Sequence, residues 1–379
     1  MTSELDFKSI IDATSNGLSI PPAFYSSTEI TEYEIEKIFR RKWICVGRTD
    51  LVRAPGDYVT LDIAKQQIIL LRDQKKKLRA LANTCRHRNA RLLEGAGQCK
   101  GLRCPFHSWF YGLDGTLISA PEMSTANGFD KSNYNLRSYL VEERFGFVFI
   151  SVNPKADNFD NFVGNFYDLH SFWPIEELIS VRRREFTIEC NWKLFLEVFN
   201  EYYHLPFVHP NSVDSIYCKP KAGDLVKGEF ATQFGKTHGT GGLLESSQEK
   251  ALANMPRLSG PAKSGARYTW LFPNMTFAIS RDALWCYEAY PIDATSCKVL
   301  QTSCFHPESV RLPDFDEKSA AYLERLDAAL DEDIPALLNQ QIGMSCPDAL
   351  SGKFQPELEA NVASFARWYA RMLNWQPNG

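Results

Sequence analysis

Four residues in one short stretch have the types and spacing to share a metal. Cys85 and His87 are separated by one residue; sixteen residues later Cys104 and His107 are separated by two. Two thiolates and two imidazoles complete a four-ligand site. Zinc fingers place their His pair three to five residues apart on a helix, whereas here each half supplies one Cys and one His. A structural zinc and a set of unrelated buried side chains are the plainer readings. The mixed halves suit a two-iron, two-sulfur cluster in which both Cys bind one iron and both His the other. Cys99 lies between the halves, off both motifs, and reads as a bystander.

A second constellation sits in NWKLFLEVFNEYYHLPFVHP, residues 191–210. His204 and His209 are five apart, with Pro206 bending the chain between them. Two His at that spacing are ordinarily core or capping residues. These two follow an aromatic helix and an acidic residue, and two His with one carboxylate form an iron site that keeps positions open to oxygen. Glu201 precedes His204 by three residues, which on a helix would place both side chains on one face. A solvated helix glutamate is the plain alternative.

The run CRHRNARLLEGAGQCKGLRCPFHSWFYGLDGTL resembles the cluster-binding segment of Rieske proteins, in the form found in Rieske oxygenases, and residues 191–210 resemble the iron-binding segment of the same family. The family usually has Tyr and Gly where this chain has Phe106 and Ser108. High-potential Rieske proteins carry a serine donor two residues after the second His. Trp109 stands there, so a lower potential is expected, with Tyr111 the remaining candidate donor.

The resemblance implies a [2Fe-2S] Rieske cluster on Cys85, His87, Cys104 and His107, and a mononuclear Fe(II) on His204, His209 and an Asp eight residues before a Gln. Asp333 with Gln341 matches; Asp331 and Glu332 compete, although helical geometry turns them roughly 200° and 100° away. The same resemblance makes Glu201 the electron-transfer bridge from His107 of a neighbouring subunit to His204. The family's acid there is usually Asp, and Glu is similar to the oxygenases acting on carnitine and betaine. A head-to-tail homotrimer follows, because in this family the two centres of one chain are too far apart for rapid electron transfer. The electron donor implied is a reductase or ferredoxin, with NAD(P)H used indirectly through a reductase. Arg86, Arg88, Arg91, Lys100 and Arg103 are candidate docking charges for it, solvated loop charge being the alternative.

The elements that must position these residues can be read coarsely. The expected fold class is α+β. A helical lead-in is expected over 1–42, with a helix from Thr28 to Trp43. A Rieske β domain is expected over 43–152, with runs such as Tyr58–Leu61, Ile68–Leu71, Leu78–Ala82 and Phe145–Ile150. Over 153–379 the resemblance implies a helix-grip catalytic domain, an antiparallel sheet wrapped around a long helix. There the periodicity predicts a helix from Asn191 to His204 stopped by Pro206, strands within Tyr268–Pro291 and Lys298–Phe305, and helices over Pro313–Gly343 and Glu357–Leu373. Lys75–Lys77 reads as a hairpin tip and Arg182–Arg184 as an exposed strand edge.

Composition narrows the function. The 379 residues are 44% hydrophobic, 23% charged and 13% aromatic, within the globular range. The net charge of −4 gives no field to attract nucleic acid or anionic lipid. Ten cysteines are too dilute for a disulfide scaffold, and the first thirty residues lack a basic start before an apolar run, so a cytoplasmic protein without membrane association is expected. Tyr202, Tyr203, Trp270 and Phe272, with Phe277, Trp285, Tyr287 and Tyr290, are the aromatic residues expected near the cavity. A quaternary or N-methylated amine, hydroxylated or N-demethylated by a mono- or dioxygenase, is the first choice. An aromatic ring or aromatic acid is the second, and a catalytically inactive ligand-binding sensor a remote third.

Overall fold

A computed structural model describes residues 7–374; the first six and last five residues lie outside the described part. The chain forms two compact units, residues 39–157 and residues 1–38 with 158–379. The lead-in therefore groups with the C-terminal unit as far as Ile38.

The smaller unit is built from short strands: β1 (Ile44–Arg48), β2 (Asp57–Ile63), β3 (Gln66–Arg72), β4 (Leu78–Ala82), β5 (Ala96–Gln98), β6 (Leu102–Arg103), β7 (Phe110–Tyr111), β8 (Leu117–Ser119), β9 (Ser138–Arg144) and β10 (Phe147–Ser151). They make a seven-stranded sheet ordered β1-β10-β9-β4-β3-β2-β5 and a small β6-β7-β8 sheet. Lys75–Lys77 forms the tip between β3 and β4, where Asp73 Oδ1 accepts from the backbone N–H of Lys75 (2.8 Å) and Lys77 (2.9 Å).

In the larger unit, the lead-in contains α1 (Phe7–Ser15) and α2 (Thr28–Glu34). The helix expected over Thr28–Trp43 is α-helical only to Glu34 and widens to a π turn over Ile35–Phe39. A buried polar knot holds the lead-in. Glu34 accepts from Lys193 Nζ (2.5 Å), Trp192 Nε1 (2.9 Å) and the Tyr369 hydroxyl, while Tyr25 donates to Glu197 (2.7 Å). Two short helices, α3 (Phe159–Val163) and α4 (Phe166–His170), precede the sheet.

That sheet is fully antiparallel. It comprises β11 (Ile179–Ile188), β12 (Phe230–Lys236), β13 (Gly265–Leu271), β14 (Met275–Ile279), β15 (Ala283–Pro291) and β16 (Cys297–Phe305), ordered β11-β16-β15-β14-β13-β12. α5 (Trp192–Phe199), α6 (Leu205–Val208), α7 (Pro307–Val310), the thirty-residue α8 (Phe315–Met344) and α9 (Ala360–Asn374) complete the unit. No helix among the described residues is long and apolar enough to cross a membrane.

Two expectations are corrected. The helix expected to run to His204 ends at Phe199, because Asn200 turns its amide back to the Leu196 carbonyl (2.7 Å) and across to Thr276 Oγ1 (2.9 Å). Pro206 then lies in the first turn of α6, where its missing N–H costs nothing. Arg182–Arg184 do lie on an edge strand but are half-buried and paired rather than freely solvated. Arg182 and Arg184 pair with Asp327 of α8 at 2.7 and 2.9 Å, and Arg183 with buried Glu288 at 3.5 Å.

Candidate metal centres and their cavity

In the smaller unit, two matching turns carry the Cys/His halves. The Cys85 N–H donates to the Ala90 carbonyl and the Cys104 N–H to that of Trp109; Asn89 and Ser108 close the turns on the Cys85 and Cys104 carbonyls. Both closing residues are left-handed, at φ 60° and 58°. Only Gly takes that conformation without cost, which explains why Gly is usual at Ser108.

The turns bring four donors together. Cys85 and Cys104 are buried, and His87 Nδ1 lies 3.1 Å from His107 Nδ1. Burial, together with the adjacent Cys104, holds the Cys85 thiol above its ordinary pKa, and burial, His107 and Arg88 depress that of His87. The Tyr111 oxygen is 3.3 Å from Cys85 Sγ and accepts from the Arg86 N–H at 3.0 Å, so its proton is free to point at the sulfur. Trp109 stacks on His87 with ring centroids 4.9 Å apart. Arg86, Arg88, Arg91, Lys100 and Arg103 are all exposed, although Arg91 pairs with Glu94 and Arg88 lies over Phe106.

In the larger unit, ligand atoms of His204, His209 and Asp333 lie within 4.8 Å of one another. Asp333 Oδ1 is 3.0 Å from His209 Nε2 and 3.6 Å from His204 Nε2. The other ring nitrogens are engaged: Glu201 Oε1 contacts His204 Nδ1, and Glu332 Oε2 lies 2.6 Å from His209 Nδ1 and accepts from Ser212 Oγ at 2.5 Å. A carboxylate on each Nδ1 holds the proton there and leaves each Nε2 lone pair facing Asp333. Although Glu201 lies beyond the end of α5, it reaches His204 through a tight turn in which its Oε2 accepts from the backbone N–H of Tyr203 and His204. Asp331 is exposed on the far side of α8. Glu332, a competitor for the ligand position in sequence, is the tether of His209, and Gln341 accepts from the Asn191 N–H at 2.8 Å.

Beside the three donors lies a partly open cavity, bounded by Phe199, Tyr202, Tyr268, Tyr287, Arg325 and Leu330 among others. Of the expected aromatic residues, Tyr202 and Tyr287 line it. Trp270 instead stacks on Phe365 and Phe272 packs on Trp368, because α9 covers that part of the sheet. Phe277 packs against Phe166 and His170, Tyr203 is exposed, and Tyr290 sits beside Lys298. Phe199, Tyr268 and Arg325 were not legible as cavity residues, since their neighbours in space come from elements far apart in sequence.

Residues 175–375 match the ring hydroxylating alpha subunit (catalytic domain) family and residues 42–139 the Rieske [2Fe-2S] domain. The chain is 30% identical over 282 residues to the carnitine monooxygenase oxygenase subunit of Acinetobacter baumannii, covering 73% of this chain and 72% of that one. The chain belongs to the Rieske oxygenases. This oxygenase is also 26% identical to the glycine betaine monooxygenase oxygenase subunit of Pseudomonas aeruginosa, over 95% of this chain and 90% of the relative. Its fold is that of a solved quaternary ammonium Rieske monooxygenase (TM-score 0.82, 24% identity, 96% and 98% of the two chains) and of naphthalene 1,2-dioxygenase from Rhodococcus sp. (TM-score 0.81, 19% identity, 98% and 99%).

The oxygenase family's cofactors are a Rieske cluster and a mononuclear iron, and the residues present fit both. Asp333 Oδ1 is buried and receives no well-formed hydrogen bond despite its closeness to His209 Nε2, as expected of an oxygen aimed at a cation. Burial opposes protonation of His209, but Asp333 and Glu332 outweigh it and raise its pKa, which shows that the two carboxylates favour a cation at this point. Two buried thiols and two Nδ1 atoms facing each other match the two-sided donor set of a Rieske cluster.

Proposed function

We propose that this oxygenase hydroxylates or N-demethylates a quaternary or N-methylated amine, holding a mononuclear iron through His204, His209 and Asp333 and a Rieske cluster through Cys85, His87, Cys104 and His107. The observation that carries the reading is the placement of the three-donor group beside a cavity walled by Phe199, Tyr202, Tyr268 and Tyr287. Aromatic faces attract a cation that has shed its water, and methyl groups on nitrogen present that charge over a large apolar surface. The relatives named for carnitine and glycine betaine support the same substrate class.

When bound, the iron would supply the oxygen chemistry and the cluster the single electrons for it. The protein's own part is positional. Glu201 and Glu332 fix the imidazole tautomers, and the aromatic wall orients the substrate and excludes water. In this reading Glu201 also bridges His204 to His107 of a neighbouring subunit in a homotrimer, a cytoplasmic reductase oxidises NAD(P)H and passes the electrons on directly or through a ferredoxin, and the exposed basic residues of the cluster loops dock the donor.

Oxygen uptake with a surrogate reductase, screened over N-methylated amines and aromatic acids, tests the substrate class. Uptake dependent on a methylated amine, with matching product, is the expected outcome. Uptake with aromatic acids alone would overturn it, and sedimentation as a monomer would overturn the trimer.

A further inference from the structure

The cavity holds a charge that the chemistry above does not use. Arg325 of α8 is only 5% exposed and borders the cavity. Its Nη2 donates to the Tyr217 hydroxyl at 3.1 Å, and its guanidinium carbon lies 5.0 Å above the Trp285 ring. Its Nε has no hydrogen-bond partner, and among the described residues no carboxylate pairs with it. Tyr217 cannot compensate. It accepts from the Tyr268 hydroxyl at 2.7 Å and directs its own hydroxyl hydrogen to the Gly241 carbonyl at 3.0 Å. Of the acids flanking it on the helix, Glu324 is exposed and Asp327 is taken by Arg182 and Arg184. Glu201, Glu332 and Asp333 are committed to the two histidines.

A guanidinium does not release its proton, and an unpaired buried charge is costly. Such a group is retained where a ligand completes it. Arg325 precedes Asp333 by eight residues, so the two share a face of α8 with their backbones about 12 Å apart along the axis. One end of the cavity is therefore cationic and the other end carries the metal donors, with aromatic rings between.

We propose that Arg325 anchors a carboxylate of the substrate, so that the substrate is a zwitterion, with its carboxylate on Arg325 and its methylated nitrogen toward Asp333. This rests on the amine reading above and narrows it. A substrate that is only a cation would face an uncompensated guanidinium and be rejected by it.

Calorimetric titration of the iron-loaded, cluster-containing protein tests the proposal with glycine betaine, carnitine and γ-butyrobetaine against choline and tetramethylammonium, and with benzoate as a separate arm. The wild type should bind at least one zwitterion about ten-fold or more tighter than choline. Arg325→Gln should weaken that zwitterion on the order of 10- to 100-fold and leave choline unchanged or tighter, and Arg325→Lys should recover part of the loss. Equal binding of zwitterion by wild type and Arg325→Gln, or choline bound as tightly as every zwitterion by the wild type, overturns the anchor and leaves the amine reading standing. Benzoate binding that depends on Arg325, with no amine bound, overturns the amine reading and the zwitterion with it, while the anchor survives. Should Arg325→Gln fail to fold, the wild-type ligand ratios and Arg325→Lys decide the question.

Discussion

Glu332 and His209 form a tether: the carboxylate lies 2.6 Å from Nδ1 of the ring, while Asp333, the next residue on α8, faces Nε2 of the same ring at 3.0 Å. Adjacent residues of one helix thus grip opposite sides of one imidazole. Glu332→Gln keeps the size but loses the charge that fixes the tautomer, and a lost partner of this kind costs about 10- to 100-fold in metal affinity. Iron titration followed by metal analysis checks this, and unchanged occupancy would reduce the tether to a surface contact.

Asp333→Ala should remove the mononuclear iron and turnover while the visible spectrum and acid-labile sulfide of the cluster persist, because a three-ligand site has no spare donor. Asp331→Ala should change neither, since that side chain points to solvent. Iron retained in Asp333→Ala would show that the carboxylate ligand lies elsewhere.

With iron supplied in excess to offset the weaker hold on His204, Glu201→Gln should keep the cluster, a filled mononuclear site and the wild-type assembly, because the amide can still hydrogen-bond within the turn that Glu201 closes. With the charge on His204 Nδ1 gone, substrate-dependent reoxidation of the reduced cluster should slow by orders of magnitude. Rapid-mixing spectroscopy reads this directly, and a wild-type rate would confine Glu201 to a local structural role.

Tyr111→Phe removes the hydroxyl that stands 3.3 Å from Cys85 Sγ. A hydrogen bond to a cluster ligand sulfur stabilises the reduced form, so the variant's potential should be more negative. Protein-film voltammetry measures it, and an unchanged potential would mean that the hydroxyl donates elsewhere.

Glu197 gives a pH signature independent of the metals. Burial pushes its carboxyl up to about 7, against the opposing effects of the Tyr25 hydroxyl and Lys193. Its folded-state pKa exceeds its unfolded value, so its contribution to stability is full below about pH 4.5 and falls as pH rises through about 7. Glu197→Gln, whose amide oxygen can still accept from Tyr25, should therefore gain melting temperature over wild type at pH 8 and lose that advantage near pH 5. Parallel melting curves across that range would refute the assignment.

The cluster motif was legible because all four donors fall between Cys85 and His107, on two turns whose shape depends mainly on their own residues. The alternation of strands, the long C-terminal helix and the His204/His209 pair are likewise local patterns, and residue spacing on α8 favours Asp333 over its neighbours. Folding decided what joins distant segments. Phe199 ends α5 because Asn200 bonds to Thr276, Glu332 became the tether of His209 across 123 residues, and Arg182 and Arg184 found Asp327. Sheet parity and the helix lying over each face then sorted the aromatics, sending Tyr268 and Tyr287 to the cavity and Phe277 to the opposite face. Local periodicity fixes which way a side chain leaves its own element. What it meets there depends on the packing of elements that the chain brings together only when it folds.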